Sequence, residues 1–99
     1  MSFYLKHRNF KVMASIFKIS TGDRHSIRWE DFVHTMSALG FRYSTNKGSQ
    51  RTFKPRRSEL KPNFRCHEER QLDAYRQDVI APKLTAHFGW TASSFKLKQ

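Results

Sequence analysis

Apolar residues recur at helical spacing toward both ends of this chain and at every second position in its middle, and the change of period lays out the elements. In "NFKVMASIFKI", Phe10, Met13 and Phe17 share one edge and Val12, Ile16 and Ile19 another, which predicts a helix with two apolar edges to bury. "STGDRHS" breaks the pattern with Gly22 and small polar residues and reads as a loop. In "IRWEDFVHTMSALGF", Trp29, Phe32, Val33, Met36 and Leu39 form one stripe at i, i+3, i+4, i+7 and i+10. Glu30 and Asp31 fall in its first turn, where the helix dipole favours carboxylates. Gly40 stands just past its end, where a left-handed residue is wanted.

The period then becomes two. Phe41, Tyr43 and Thr45 alternate with Arg42 and Ser44, a strand with one buried face. "NKGS" turns the chain, and "QRTFK" alternates again with Phe53 inward and Lys54 outward. Pro55 ends that strand because it has no N–H for the ladder. "RRSELKPN" is a polar loop, and "FRCH" is a short strand by its Phe64/Cys66 alternation. Helical period returns in "LDAYRQDVIAPKLTAHFGW", which places Leu72, Tyr75, Val79, Ile80, Leu84 and Phe88 on one face. Pro82 interrupts it at a cost of about 3 kcal/mol, yet the stripe keeps phase. Either a kinked helix or two segments with Pro82 opening the second would fit. Gly89 ends the helix, and Trp90 and Phe95 are expected to fold back as anchors. The order is helix, helix, strand, strand, strand, helix. Its economical packing is an α+β domain: a three-stranded antiparallel sheet with helices on one face.

With 99 residues the chain has room for one domain. It is expected over residues 10–95, with tails at 1–9 and 96–99. The single cysteine, Cys66, cannot form an internal disulfide, and neither a membrane-length apolar run nor an apolar leader stands out, so an intracellular, cytoplasmic or nuclear setting is expected. Charge changes the picture most. Nineteen Lys and Arg against eight Asp and Glu give +11, and the pI is near 10.4. Such a balance points to polyanionic partners, nucleic acid first and an anionic membrane surface second.

At "GF" followed by "KGS" the chain resembles the HicA family, small bacterial toxins with a fold like that of double-stranded-RNA-binding domains. Gly40-Phe41 and Gly48-Ser49 match, and Gln50 stands where the family has its histidine. The chain is also similar to a domain found near the C-terminus of larger fungal proteins of unknown role. That pattern is "KVxxxxF", "WxDFxxAMxxxGF", "GSxxxFxP", a His- and Pro-rich "FHxPHP"-like segment, and "FGW" followed by a final Phe. Here "KVMASIF", "WEDFVHTMSALGF", "GSQRTFKP", "FRCHEE" and "HFGWTASSF" follow in that order over about residues 11 to 95. The departure is at "FRCHEE", where His67 alone matches. The HicA resemblance implies RNA cleavage by a histidine base, or docking onto an antitoxin partner.

Cleavage wants a group that titrates near neutral pH and can take the 2′-hydroxyl proton. Gln50 cannot, although its amide can hydrogen-bond a phosphate or sugar hydroxyl. A non-catalytic RNA- or nucleic-acid-binding module is therefore expected, with Lys47, Ser49, Gln50, Arg51, Lys54, Arg56, Arg57, Lys61 and Arg65 as its contact set. With Phe53 inward, Thr52 and Lys54 point out with Gln50, and Arg51 shares the side of Phe53. Double-stranded RNA is recognised mainly through shape, phosphate and 2′-hydroxyl contacts, which suits a scattered cationic set. The same residues also read as a solvated charged loop. One alternative is a domain that docks an acidic protein partner; another is a diverged endoribonuclease in which His67 has taken over. Glu68 and Glu69 follow His67, but neighbours on a strand point to opposite faces. Cys66 lacks an adjacent base in reach and reads as a core residue. One Cys and dispersed His give no zinc signature, and no cofactor motif is present. Trp29, Trp90, Phe41 and Tyr43 read as core anchors rather than stacking platforms.

Overall fold

The period-2 stretches form one antiparallel sheet. The structure, a computed structural model, describes residues 2–19, 24–45, 47–56 and 63–98. In chain order the elements are β1 (Phe3–Leu5), α1 (His7–Ile16), β2 (Ile27–Arg28), α2 (Trp29–Ala38), β3 (Phe41–Thr45), β4 (Gln50–Pro55), β5 (Phe64–His67), β6 (Gln71–Leu72), α3 (Ala74–Phe88), a 3-10 turn (Ala92–Ser94) and β7 (Phe95–Leu97). The main sheet has the order β3-β4-β5, both pairs antiparallel. Its register sets Tyr43 against Phe53 and Phe53 against Phe64, so these rings share one face. Pro55 lies opposite Phe41. The Arg56 N–H to Gly40 carbonyl bond, 2.9 Å, shows the neighbouring pair to be a hydrogen-bonded one. Pro55 therefore occupies a non-hydrogen-bonded position and costs the ladder to β3 nothing.

That inner face packs on helices. The Phe53 ring lies 5.5 Å from Phe32 of α2, and the Phe41 and Phe64 rings lie 5.1 and 5.7 Å from Phe88 of α3. Met13, Ile16, Phe32, Met36 and Leu84 are essentially inaccessible at the centre. Each such side chain contributes about 1.5–3 kcal/mol relative to exposure. Two buried polar ties hold α1 in place. Thr35 Oγ1 donates to Asn9 Oδ1 at 3.1 Å. Ser15 Oγ donates to Gln77 Oε1 at 2.6 Å, while Gln77 Nε2 donates to the carbonyls of His25 at 2.6 Å and Leu72 at 2.7 Å.

Several expectations are corrected. The segments read as tails carry structure: β1 pairs in parallel with β7, Phe3 opposite Phe95 and Leu5 opposite Leu97, and α1 begins at His7 rather than near Phe10. β2 and β6 form a second small antiparallel pair. Leu72, expected in the last helix, belongs to β6, because Asp73 caps α3 by accepting from the Arg76 N–H at 2.9 Å. α3 runs as one element through Pro82. Its buried positions are Gln77, Ile80 and Leu84, whereas Tyr75 and Val79 are 74% and 40% exposed. Gly89 closes α3 with φ 75°, its N–H bonded to the Thr85 carbonyl at 2.8 Å. Among the described residues no helix is long and apolar enough to cross a membrane.

Candidate nucleic-acid interface

The register that turns Phe53 inward turns its neighbours outward. Arg42 lies opposite Lys54, Ser44 opposite Thr52, Thr52 opposite Arg65, and Gln50 opposite His67. These rows make the outer face of the sheet. Arg42, Gln50, Lys54, Arg65 and His67 are exposed there, around a buried Thr52. No carboxylate occupies a described outer-face position. The six described carboxylates are all engaged elsewhere: Asp31 by Arg8, Glu30 by Arg28, Asp78 by Lys18 and Arg24, Glu68 by Arg51, and Glu69 and Asp73 by Arg76. Arg42 and Lys54 thus face each other across a strand pair with no anion between them among the described residues, an arrangement that is destabilising on its own.

Of the contact residues expected from sequence, Gln50, Lys54 and Arg65 come together on this face. Lys47 and Ser49 sit at the turn that leads into it. Arg51 does not join them. It shares the inner side with Tyr43, where its Nε donates to Glu68 Oε1 at 2.9 Å and its Nη1 donates to the carbonyls of Gly48 and Gln50 at 2.8 and 2.7 Å. Burial would lower its pKa, but Glu68 and Tyr43 more than offset this and hold the guanidinium above its ordinary value. Tyr43 completes the chain of bonds, donating to Glu68 at 3.2 Å and accepting from Trp29 Nε1 at 3.0 Å. Arg56 is spent on the end of α2, donating to the Ser37 carbonyl at 3.0 Å and to Ser37 Oγ at 3.1 Å. Arg57 and Lys61 lie outside the described residues, as do much of the "STGDRHS" loop and most of "RRSELKPN". Arg42 was missed, although its place between Phe41 and Tyr43 put it on the outward phase of the strand.

His67 stands directly across from Gln50, and its Nδ1 shares a 3.1 Å hydrogen bond with Ser49 Oγ. Glu68 turns away toward Arg51, as alternation requires. Cys66, half-buried on the inner side, has its thiol pushed up to about 11 by burial, partly offset by Lys83 and reinforced by Glu69. It stays protonated at neutral pH, the wrong state for a nucleophile. Trp29, Trp90 and Phe41 are buried in the aromatic core. Among the described residues no three His, Cys, Asp or Glu gather as metal ligands.

Between β5 and α3 lies a cleft that the sequence pattern did not anticipate. One hollow of about 450 Å³ has Arg65, Cys66 and His67 on one wall and Tyr75, Val79 and Lys83 on the other. A second, about 640 Å³, continues from Arg65 and Lys83 toward Asn63 and His87. No protein-family model matches the chain, and no curated protein or solved structure matches it significantly.

Proposed function

We propose that this chain is a non-catalytic RNA-binding module whose contact surface is the outer face of β3, β4 and β5. The observation that carries the reading is the array of Arg42, Lys54 and Arg65, set in register on three strands with no carboxylate among the described outer-face residues, and with Lys47 at its turn end. A phosphate between Arg42 and Lys54 would turn a repulsive cross-strand pair into a favourable one. Gln50 and Ser49 add neutral groups able to bond a ribose hydroxyl. The arrangement of helices behind a three-stranded antiparallel sheet agrees with what the HicA resemblance implies, and Gln50 removes the base that cleavage would use at that position.

Fluorescence anisotropy with labelled RNA across a salt series tests this. Log affinity should fall linearly with log salt, by about 0.7–0.9 per phosphate neutralised. Replacing Arg42, Lys54 and Arg65 together by Ala should flatten that slope by about 2 and weaken binding at least ~tenfold. Lys6, Lys11 and Lys96 are also exposed and carry no carboxylate partner among the described residues, but they lie on α1, its N-cap and β7. Their triple Ala variant removes the same charge and should change affinity much less. Equal losses in the two variants, or no binding by the unmutated chain at low salt, would overturn the reading.

A second reading, a diverged ribonuclease, draws on the place of His67 across from Gln50. The Ser49 Oγ contact engages only Nδ1 of the exposed imidazole, and a ring whose Nδ1 donates there would present Nε2 to a substrate. RNA cleaved by the unmutated chain and spared by His67→Ala would establish it. Intact RNA in both incubations ends it.

A further inference from the structure

We propose that the cleft between β5 and α3 receives an extended acidic segment of a partner protein, which adds as a fourth strand to the free edge of β5. The cleft borders the outer sheet face at Gln50, Arg65 and His67, but the proposal does not rest on the RNA reading. β5 is the last strand of its sheet, and among the described residues nothing pairs with its far edge. The register fixes which backbone groups that edge offers. The Glu68 N–H donates to the Ser49 carbonyl at 2.7 Å, which makes that pair a hydrogen-bonded one. Alternation then leaves Arg65 and His67 in non-hydrogen-bonded pairs, with N–H and C=O directed away from β4. Outward donors and acceptors at strand spacing are a template for another strand.

The far wall supplies the apolar anchor. Tyr75 and Val79 stand one helical turn apart on α3, exposed, and line the cleft with Cys66 and Ile80. The rim supplies the sign of the partner. Arg65 and Lys83 have no carboxylate partner among the described residues, and Glu69, the one acid in the lining, is already bonded by Arg76 at 3.0 Å. Cross-strand partners share a face. Side chains on the Arg65 and His67 side of an added strand should therefore be Asp or Glu, and those on the Cys66 side should be aliphatic, entering the Tyr75–Val79 floor. An RNA strand would answer the cations but not the alternating backbone groups, which is why a polypeptide is favoured.

The test is an amide NMR titration of the whole chain with a heptapeptide alternating Glu and Val, beside the same composition with its Val residues contiguous. At about 1 mM alternating peptide, amide shifts should concentrate at Arg65–His67 and at Tyr75, Val79 and Lys83, with weaker effects from the contiguous peptide. Val79→Glu should weaken binding at least ~tenfold. Val79 is 40% exposed, so the variant should fold, and its own spectrum reports whether it does. Tyr75→Ser, at a still more exposed position, serves as the second variant. Tyr75→Ser changes no charge and lies off the outer sheet face, so RNA affinity should be unchanged in that variant. The proposal falls if no peptide shifts appear, if both peptides act alike, or if RNA perturbs the cleft residues and the peptide does not.

Discussion

Gln77 holds more of the molecule together than its place on an amphipathic helix suggests. It is fully buried, and its amide joins α1 through Ser15, the segment before β2 through His25, and β6 through Leu72. Gln77→Ala would take a bond from the buried Leu72 carbonyl, open a cavity, and leave Ser15 Oγ and the His25 backbone their bonds to each other at 3.1 and 3.2 Å. The expected cost is about 3 kcal/mol, read as a lower denaturation midpoint with an unchanged slope. Cys66 gives a prediction in pH. Burial raises its thiol from 9.0 to about 11 in the folded chain, so the unfolded chain releases that proton first. Its contribution to stability is complete below pH 9.0 and is lost as pH rises toward about 11. Cys66→Ala should remove that component, seen as a shallower decline in urea midpoint from about pH 8 to about pH 10.5 than in the unmutated chain. The inward reading of Cys66 was legible because a period of two assigns a side to every strand residue. The role of Gln77 was not, since a polar residue on a helix reads as solvent-facing until its partners from distant segments are known.

The helices show how ends are made. α1 closes with Lys18 at φ 55°, while the Ile19 N–H reaches back to the Ala14 carbonyl at 2.9 Å. That is a closure glycine suits, and a lysine there is strained by about 1 kcal/mol. Lys18→Gly should therefore raise the thermal midpoint by several degrees. The ion pair it removes, Lys18 to Asp78 at 3.6 Å, is exposed, and Asp78 keeps Arg24 at 2.6 Å. β3, β4 and β5 could be read almost residue by residue because alternation and turn chemistry agree there. β1, β2, β6 and β7 could not, because two or three residues carry no period and each pairs with a segment far along the chain. α3 was misread on its face: Tyr75 and Val79 fit the apolar period, but Gln77, Ile80 and Leu84 fill the core, and the extra apolar edge is left to the cleft.

Across the whole molecule, the excess of +11 says that positive field is abundant, not where it gathers. Its location follows from where the acids go. Each described carboxylate is held by a cation of the helices, their flanking segments or the inner side of the sheet, so the outer face is positive by subtraction as much as by content. Only the folded register could place Arg42 against Lys54, or leave Arg51 paired to Glu68. The parallel pairing of β1 with β7, extended by the Lys98 N–H to Leu5 carbonyl bond at 2.7 Å, has a mechanical meaning. Backbone enters β1 at one end of this short ladder and leaves β7 at the other, so tension between the two ends slides one strand along the other. Every rung is then loaded together, where antiparallel strands would peel apart in turn. The ladder acts as a clasp, and it must shear before any pull reaches the aromatic interior.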